Sequence, residues 1–287
     1  RAGLNINAKK TEVLSCAAHP MPALPTFSVT GVSLPVRSQF VYLGSALSDS
    51  CNLSVEIENR IKAASAAFGR LSHRVFLNRG LSIATKVAVY KAVCISTLLY
   101  GCETWTPYRR HVKVLESFHA RCLRSILGIR WWHKIPFAGI LNKAGISTAE
   151  GLMFEKQLRW IGHVVRMPAC RLPRRLLYGE IAQGKRLPGR PKMRFADHIK
   201  SVLLRCNLES SALESMASNR NLWRTSCRSG LAHYMEEWKT NAELRRIKRH
   251  AAESKTKAGP QCPHCARVCA SEFGLRSHLR SHAFINT

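Results

Sequence analysis

Cys262, Cys265, His278 and His282 are separated by two, twelve and three residues, and no other feature of the 287-residue chain restricts its local fold so tightly. Two cysteines this close can share one tight hairpin knuckle, and two histidines four apart project from one face of a helix. Four such donors suit tetrahedral Zn²⁺, which holds thiolate and imidazole without redox chemistry. A segment this small cannot build a core of its own, so ligation itself drives its folding.

The charge balance is the second constraint. Forty-five Lys and Arg stand against 17 Asp and Glu, a net charge of +28. Such a surplus repels itself on folding, and its usual counterpart is a polyanion whose condensed counterions are released on binding. Eleven cysteines are scattered, with only the last three clustered. They read as buried thiols of a reducing compartment rather than a disulfide framework. No secretory signal opens the sequence and no apolar run reaches the ~20 residues of a membrane span. We expect a nuclear or cytoplasmic protein with no membrane partner and no small-molecule substrate. The first residue, Arg1, points to a fragment, a processed chain or an incomplete gene model.

Along the chain, residues 1–50 carry short apolar runs at Thr11–Ser15, Phe27–Val29 and Phe40–Leu43, which predict strands separated by turns. From Ser54 the period changes. Ile57, Ile61, Ala64, Phe68 and Leu71 mark one face of a helix. Ser82 caps a second helix running to about Cys102, apolar nearly all round and so buried. A third runs from about Arg109 to Leu127, with Val112, Leu115, Cys122 and Ile126 inward and Gly128 placed to stop it, and a fourth from about Thr148 to Met167. Between Lys156 and Arg205 thirteen basic residues face Glu180 and Asp197 alone, and Gly184–Arg194 is broken by two prolines into an exposed loop. Residues 207–257 return to helical, charged composition.

The Cys262–His282 spacing resembles a two-cysteine, two-histidine ββα finger, with Leu275 inward. Cys269 takes the slot such fingers usually give to an aromatic side chain; it is either a small filler or a fifth, competing thiolate. The base-reading positions of such fingers fall on Ser271, Gly274 and Ser277, too small for bidentate base contacts. Little sequence choice is expected, and protein binding is the alternative use.

The string GLNINAKKTEVL (Gly3–Leu14) resembles the late palm segment of a non-LTR retrotransposon (LINE-type) reverse transcriptase. FVYLG (Phe40–Gly44) resembles its primer-grip hairpin, KAVCISTLLYGCETW (Lys91–Trp105) its helical thumb, and RWIGHVVRM (Arg159–Met167) and the GRP-x-x-R-x-x-D pattern (Gly189–Asp197) its C-terminal part. The strings occur in the family's order. The resemblance implies a mainly α chain: a palm remnant with short strands over 1–50, a helical thumb-like domain over 51–150, a basic nucleic-acid-binding region over 151–205, a helical linker over 206–258 and a zinc finger over 259–287. It also implies that the metal-holding aspartates of the polymerase lie upstream, so the chain as it stands is expected to bind DNA, RNA or their hybrid rather than to polymerise.

In that frame Lys10 matches a lysine beside the polymerase site, or is a solvated surface lysine. Phe40, Tyr42, Leu43 and Gly44 form a hairpin against a primer backbone, or an ordinary strand pair over the helical core. Arg60, Lys62, Arg70 and Arg74 line a thumb face beside a duplex, or a solvated face. Arg186, Arg190, Lys192 and Arg194 are the expected phosphate contacts, and Pro188–Pro191 resembles the centre of an AT-hook. Trp160 and His163 are expected in the core rather than as base-stacking platforms, which is the alternative. Trp131 and Trp132 are expected beneath the helices, with base stacking as the alternative.

Overall fold

A computed structural model of the chain describes residues 6–7, 10–15, 26–29, 31–179, 189, 192–255, 259–265, 267–269 and 271–283, with backbone alone at 131, 250, 252–255 and 280–283. The fold is mainly α with two short two-stranded antiparallel sheets near the N-terminus, as the sequence predicts. The chain divides into two compact units, Arg1–Met235 and Glu236–Thr287.

In the first unit, β1 (Ser28–Val29) pairs with β2 (Val32–Ser33), and β3 (Gln39–Tyr42) with β4 (Ser45–Ser48). Leu43 and Gly44, both at positive φ (49° and 79°), make the two-residue turn between β3 and β4. That conformation matches the natural twist of paired strands. The strand expected over Thr11–Ser15 is reduced to one bridge, Val13 to Val36. Its partner segment includes Pro35, which has no N–H to extend the ladder.

The hairpin is fastened to the helices behind it. Glu56, in the first turn of α1 (Ser54–Leu71), accepts the Ala46 amide at 2.6 Å and Arg60 Nε at 2.6 Å. The Arg60 guanidinium donates to the Gly44 carbonyl and lies 4.6 Å from the Tyr100 ring centroid. Tyr100 in turn donates its hydroxyl to the Leu43 carbonyl at 3.1 Å.

Ser82 caps α2 (Ile83–Val89), its hydroxyl accepting the Thr85 amide. The predicted uninterrupted helix to Cys102 is not what forms. The chain widens into a π-helical turn at Tyr90–Ile95, resumes as α3 (Ser96–Leu98) and ends in Gly101 at φ 70°. A second π segment, Ser72–Phe76, follows α1. The wider turns carry Phe76 and Tyr90 inward, where Phe68 and Phe76 stack at 4.4 Å and both meet Tyr90 edge-on. Against the expectation of an all-round buried helix, Val93 and Tyr100 are exposed.

α4 (Arg109–Ile126) buries Val112, Leu115, Cys122 and Ile126 as its period predicts, and Gly128 at φ 65° follows it. α5 (Phe137–Ala144) precedes α6 (Ala149–Val165), which Thr148 caps through the Gly151 amide at 2.9 Å. α7 (Leu172–Tyr178), α8 (Phe195–Arg205), α9 (Leu213–Ser218) and α10 (Arg220–Lys255) complete the series. α6 runs through the middle of this packing, with Met153, Phe154, Leu158 and Ile161 at or near zero exposure.

Gly162 of α6 shows how tight that packing is. The indole of Trp223 from α10 lies against it and donates Nε1 to the Leu158 carbonyl at 3.0 Å, in the space any β-carbon at 162 would occupy. Gly162→Ala gains about 1 kcal/mol of helix propensity but must evict a buried indole. We expect a net loss of about 2–4 kcal/mol. Urea unfolding checks this, and a variant within about 0.5 kcal/mol of the parent would show that Trp223 yields without cost.

Several polar groups inside the unit are paired across helices. Glu150 of α6 holds Arg205 of α8 bidentately at 2.6 and 2.9 Å and accepts the Tyr234 hydroxyl of α10 at 2.7 Å. Glu116 of α4 accepts the Glu150 amide at 2.9 Å, and burial pushes its carboxyl up to about 7. Gln157 donates to the carbonyls of Cys102 and Trp105 and meets His198 Nε2 at 3.1 Å. His119, fully buried, contacts Tyr90 Oη through Nδ1 at 2.9 Å and the Ser147 carbonyl through Nε2 at 3.0 Å.

Candidate metal centre and basic surfaces

The second unit carries a short antiparallel knuckle closed by the Gln261–Val268 bridge, the Cys262 amide on Arg267 O (2.9 Å) and the Cys269 amide on Pro260 O (3.0 Å). It is followed by α11 (Glu272–Ala283). Cys262 and Cys265 lie on the knuckle and His278 on the helix, and their ligand atoms all fall within 4.8 Å of one another. Cys265 Sγ and His278 Nε2 are 3.2 Å apart. Thiolate and imidazole on one tetrahedral ion stand roughly 3.6 Å apart, so the three could hold a metal ion with small adjustment. Burial opposes ionisation of the Cys262 thiol, but the amides of His264 and Cys265 outweigh it and hold the thiol below its usual range. A thiol already biased toward thiolate suits a cation. His282 lies on α11 one turn beyond His278, its side chain outside the described residues. Cys269 is buried and is not one of the three clustered ligands.

Among the remaining described thiols, four fit the expectation of buried cysteines, Cys227 is half-buried and two depart from it. Cys94, Cys102, Cys122 and Cys206 are buried, and burial pushes Cys102 and Cys122 up to about 12. Cys51 and Cys170 are exposed.

The basic residues singled out in the sequence sit in different settings. Lys62, Arg70 and Arg74 are exposed along α1 and the turn after it. Arg60 faces the other way, committed to Glu56, the Gly44 carbonyl and the Tyr100 ring. Phe40 is half-buried, whereas Tyr42 and Leu43 project at the hairpin tip, Leu43 at 75 % exposure. Lys192 donates to the Ser50 carbonyl, and Arg194 holds Asp197 at 3.0 and 3.1 Å at the start of α8. Arg186 and Arg190 lie outside the described residues. Lys10 is exposed.

Two expectations about aromatic and histidine placement are corrected. Trp132, in the short 3₁₀ turn Trp131–His133, is 56 % exposed rather than covered. His163 is exposed on α6, and Trp160 is only half-buried beside it. Position 163 falls on the solvent side of α6, opposite the stripe formed by residues 154, 158, 161 and 165, so no core contact was open to it.

Sequence reasoning missed a set of arginines. Arg220, Arg224 and Arg228 recur every four residues along α10 and, with Arg159 and Arg166 of α6, line a groove of about 480 Å³. The signal was the four-residue spacing, which puts the three on one helix face; the stretch was read as charged linker instead.

Fold and site together define a mainly helical, strongly basic chain whose second unit brings two cysteines and a histidine close enough to hold a metal ion. Over 232 residues the chain is 25 % identical to an uncharacterized transposon-derived protein of Caenorhabditis elegans, the match covering 77 % of this chain and 81 % of that protein. No family model and no solved structure matches. Among the described residues no helix is long and apolar enough to cross a membrane.

Proposed function

We propose that this chain is the nucleic-acid-binding, zinc-binding C-terminal part of a retrotransposon reverse transcriptase, gripping a nucleic acid rather than polymerising it. The observation that carries the proposal is the match to a transposon-derived protein over 77 % of the chain. A charge of +28 supports a polyanion as partner. Two thiols and an imidazole within reach of one ion support zinc: Cys262, Cys265, His278 and His282 would hold it, and its chemistry there is structural, fixing a helix on a hairpin. RNA, DNA and their hybrid all present the phosphates concerned.

The test is filter binding of the full chain to duplex, single-stranded and hybrid oligonucleotides at several salt concentrations. Six or more phosphate contacts predict a log–log slope of about −4 or steeper, with little dependence on base sequence. A slope near zero would favour a second reading, a host zinc-finger protein that binds other proteins. Phe273 of α11, 84 % exposed, is the observation on that side. A third reading, the C-terminal portion of an active reverse transcriptase, shares the binding behaviour and differs only in adding catalysis from other sequence.

A further inference from the structure

The groove between α6 and α10 has five arginines and one acid, Glu155, along its walls. On one side Arg220, Arg224 and Arg228 are exposed and rise about 6 Å per step along the helix, of the order of the separation between successive phosphates on one strand. On the other side stand Arg159 and Arg166. The floor is uncharged: Trp223, Leu231 and Cys227, whose thiol burial pushes up to about 12 and so keeps neutral.

Glu155 pairs with Arg159 at 3.5 Å, but Arg166 shows that the rest of this cluster is not compensated from within. Its Nη1 donates to the Ala217 carbonyl at 2.7 Å, while its Nε is buried with no hydrogen-bond partner. Burial, and then the neighbouring Arg220, hold its pKa below the ordinary value. Gathering like charges around a concave surface costs free energy that an anion in the groove would return. A volume of about 480 Å³ suits one or two nucleotide units and not the width of a duplex.

We infer that the α6–α10 groove binds a single strand of nucleic acid, phosphates on the arginine rows and a base face against the Trp223–Leu231 floor. The inference rests on the nucleic-acid reading above and goes beyond it in naming the surface and the strandedness. Arginines bring sequence-independent affinity, and an apolar floor accepts any base by its face.

The experiment compares the full chain with two triple variants, Arg220→Gln/Arg224→Gln/Arg228→Gln in the groove and Lys62→Gln/Arg70→Gln/Arg74→Gln on α1. All six are exposed, and circular dichroism with a thermal melt confirms that each variant is folded; Arg224→Glu alone serves if the groove triple is not. Fluorescence anisotropy with a 20-nucleotide single strand and the matching duplex gives affinities at several salt concentrations. The groove triple should lose tenfold or more for the single strand, with a log–log slope shallower by about 2, and change less than threefold for the duplex. Single-strand affinity within twofold of the parent, or equal losses for both oligonucleotides, overturns the groove assignment while leaving the nucleic-acid reading intact. Competition by polyglutamate as effective as by oligonucleotide at equal charge would assign the groove to acidic proteins and overturn it as well. A parent chain that binds neither oligonucleotide would sink the underlying reading and the groove with it.

Discussion

Cys262→Ser is expected to unfold residues 259–283 while the unit Arg1–Met235 keeps its thermal transition. The reason is the shortage of apolar burial in the finger. Among its described residues only Cys262 and Cys269 are buried hydrophobic side chains, Leu275 is half-buried and Phe273 stands in solvent. At roughly 25 cal/mol per Å² this cannot offset about 1–2 kcal/mol of backbone entropy per ordered residue. Metal ligation must supply the difference, and structural zinc provides about 10–16 kcal/mol in segments of this kind. Losing one thiolate removes on the order of a quarter of that, a hundredfold or more in metal affinity. Limited proteolysis of the zinc-loaded full chain, with and without chelator, reads the outcome. Rapid cleavage in 259–283 of the variant and of the chelated parent, but not of the loaded parent, is the expected pattern. A finger equally protected in all three would mean that no metal holds it.

The second large effect is expected at the junction of α6, α8 and α10. Glu150→Gln keeps the side-chain shape but leaves the Arg205 guanidinium without its carboxylate. Breaking a buried pair costs about 3–5 kcal/mol. Arg205 is itself 36 % exposed, so solvent screens part of its charge, and we place the loss at about 2–3 kcal/mol at pH 7. The pH dependence has a definite sign. Burial alone would raise the Glu150 carboxyl, but Arg205 and the Tyr234 hydroxyl outweigh it and hold it below the ordinary carboxylate range. A depressed folded pKa contributes stability that is present above the unfolded value, about 4.3, and is lost as pH falls through the folded one. The gap between parent and variant should therefore be full at pH 7 and narrow steadily below pH 4. Denaturant midpoints from pH 3 to 8 measure it; a gap that stayed constant across that range would show that packing, not charge, sets the loss.

Much of the helical architecture was legible because one face of each helix is apolar with the right period. α4 is the clearest case: Val112, Leu115, Cys122 and Ile126 all turn inward and Gly128 follows, as read. Ser82 also caps where its spacing to the apolar run placed it, and Thr148, read only as the start of the fourth helix, proves to cap it. β4 was not legible. Ser45–Ser48 has no apolar run to mark it and becomes a strand because Leu43 and Gly44 turn the chain back on β3. The π segments were hidden for a related reason, since an apolar run looks the same at either pitch. Arg60 was legible as a helix-surface cation four residues from Glu56, but its grip on Gly44 and Tyr100 depends on where the hairpin lands. The candidate metal site was the most legible of all, because the spacing that marked it in the sequence also brings Cys262, Cys265 and His278 within reach of one another.

Two of the buried histidines, His119 and His198, carry a fixed pattern of protons. The Ser147 carbonyl can only accept, so His119 must bear its hydrogen on Nε2, and its bare Nδ1 must receive the Tyr90 hydroxyl. Gln157 spends its NH₂ group on two carbonyls, so its oxygen faces His198 and that ring too is protonated on Nε2. Burial holds both imidazoles down to about 4. Neither can then take up a second proton near neutrality, and each works as a one-way connector that sets the direction of hydrogen bonding from one helix to the next.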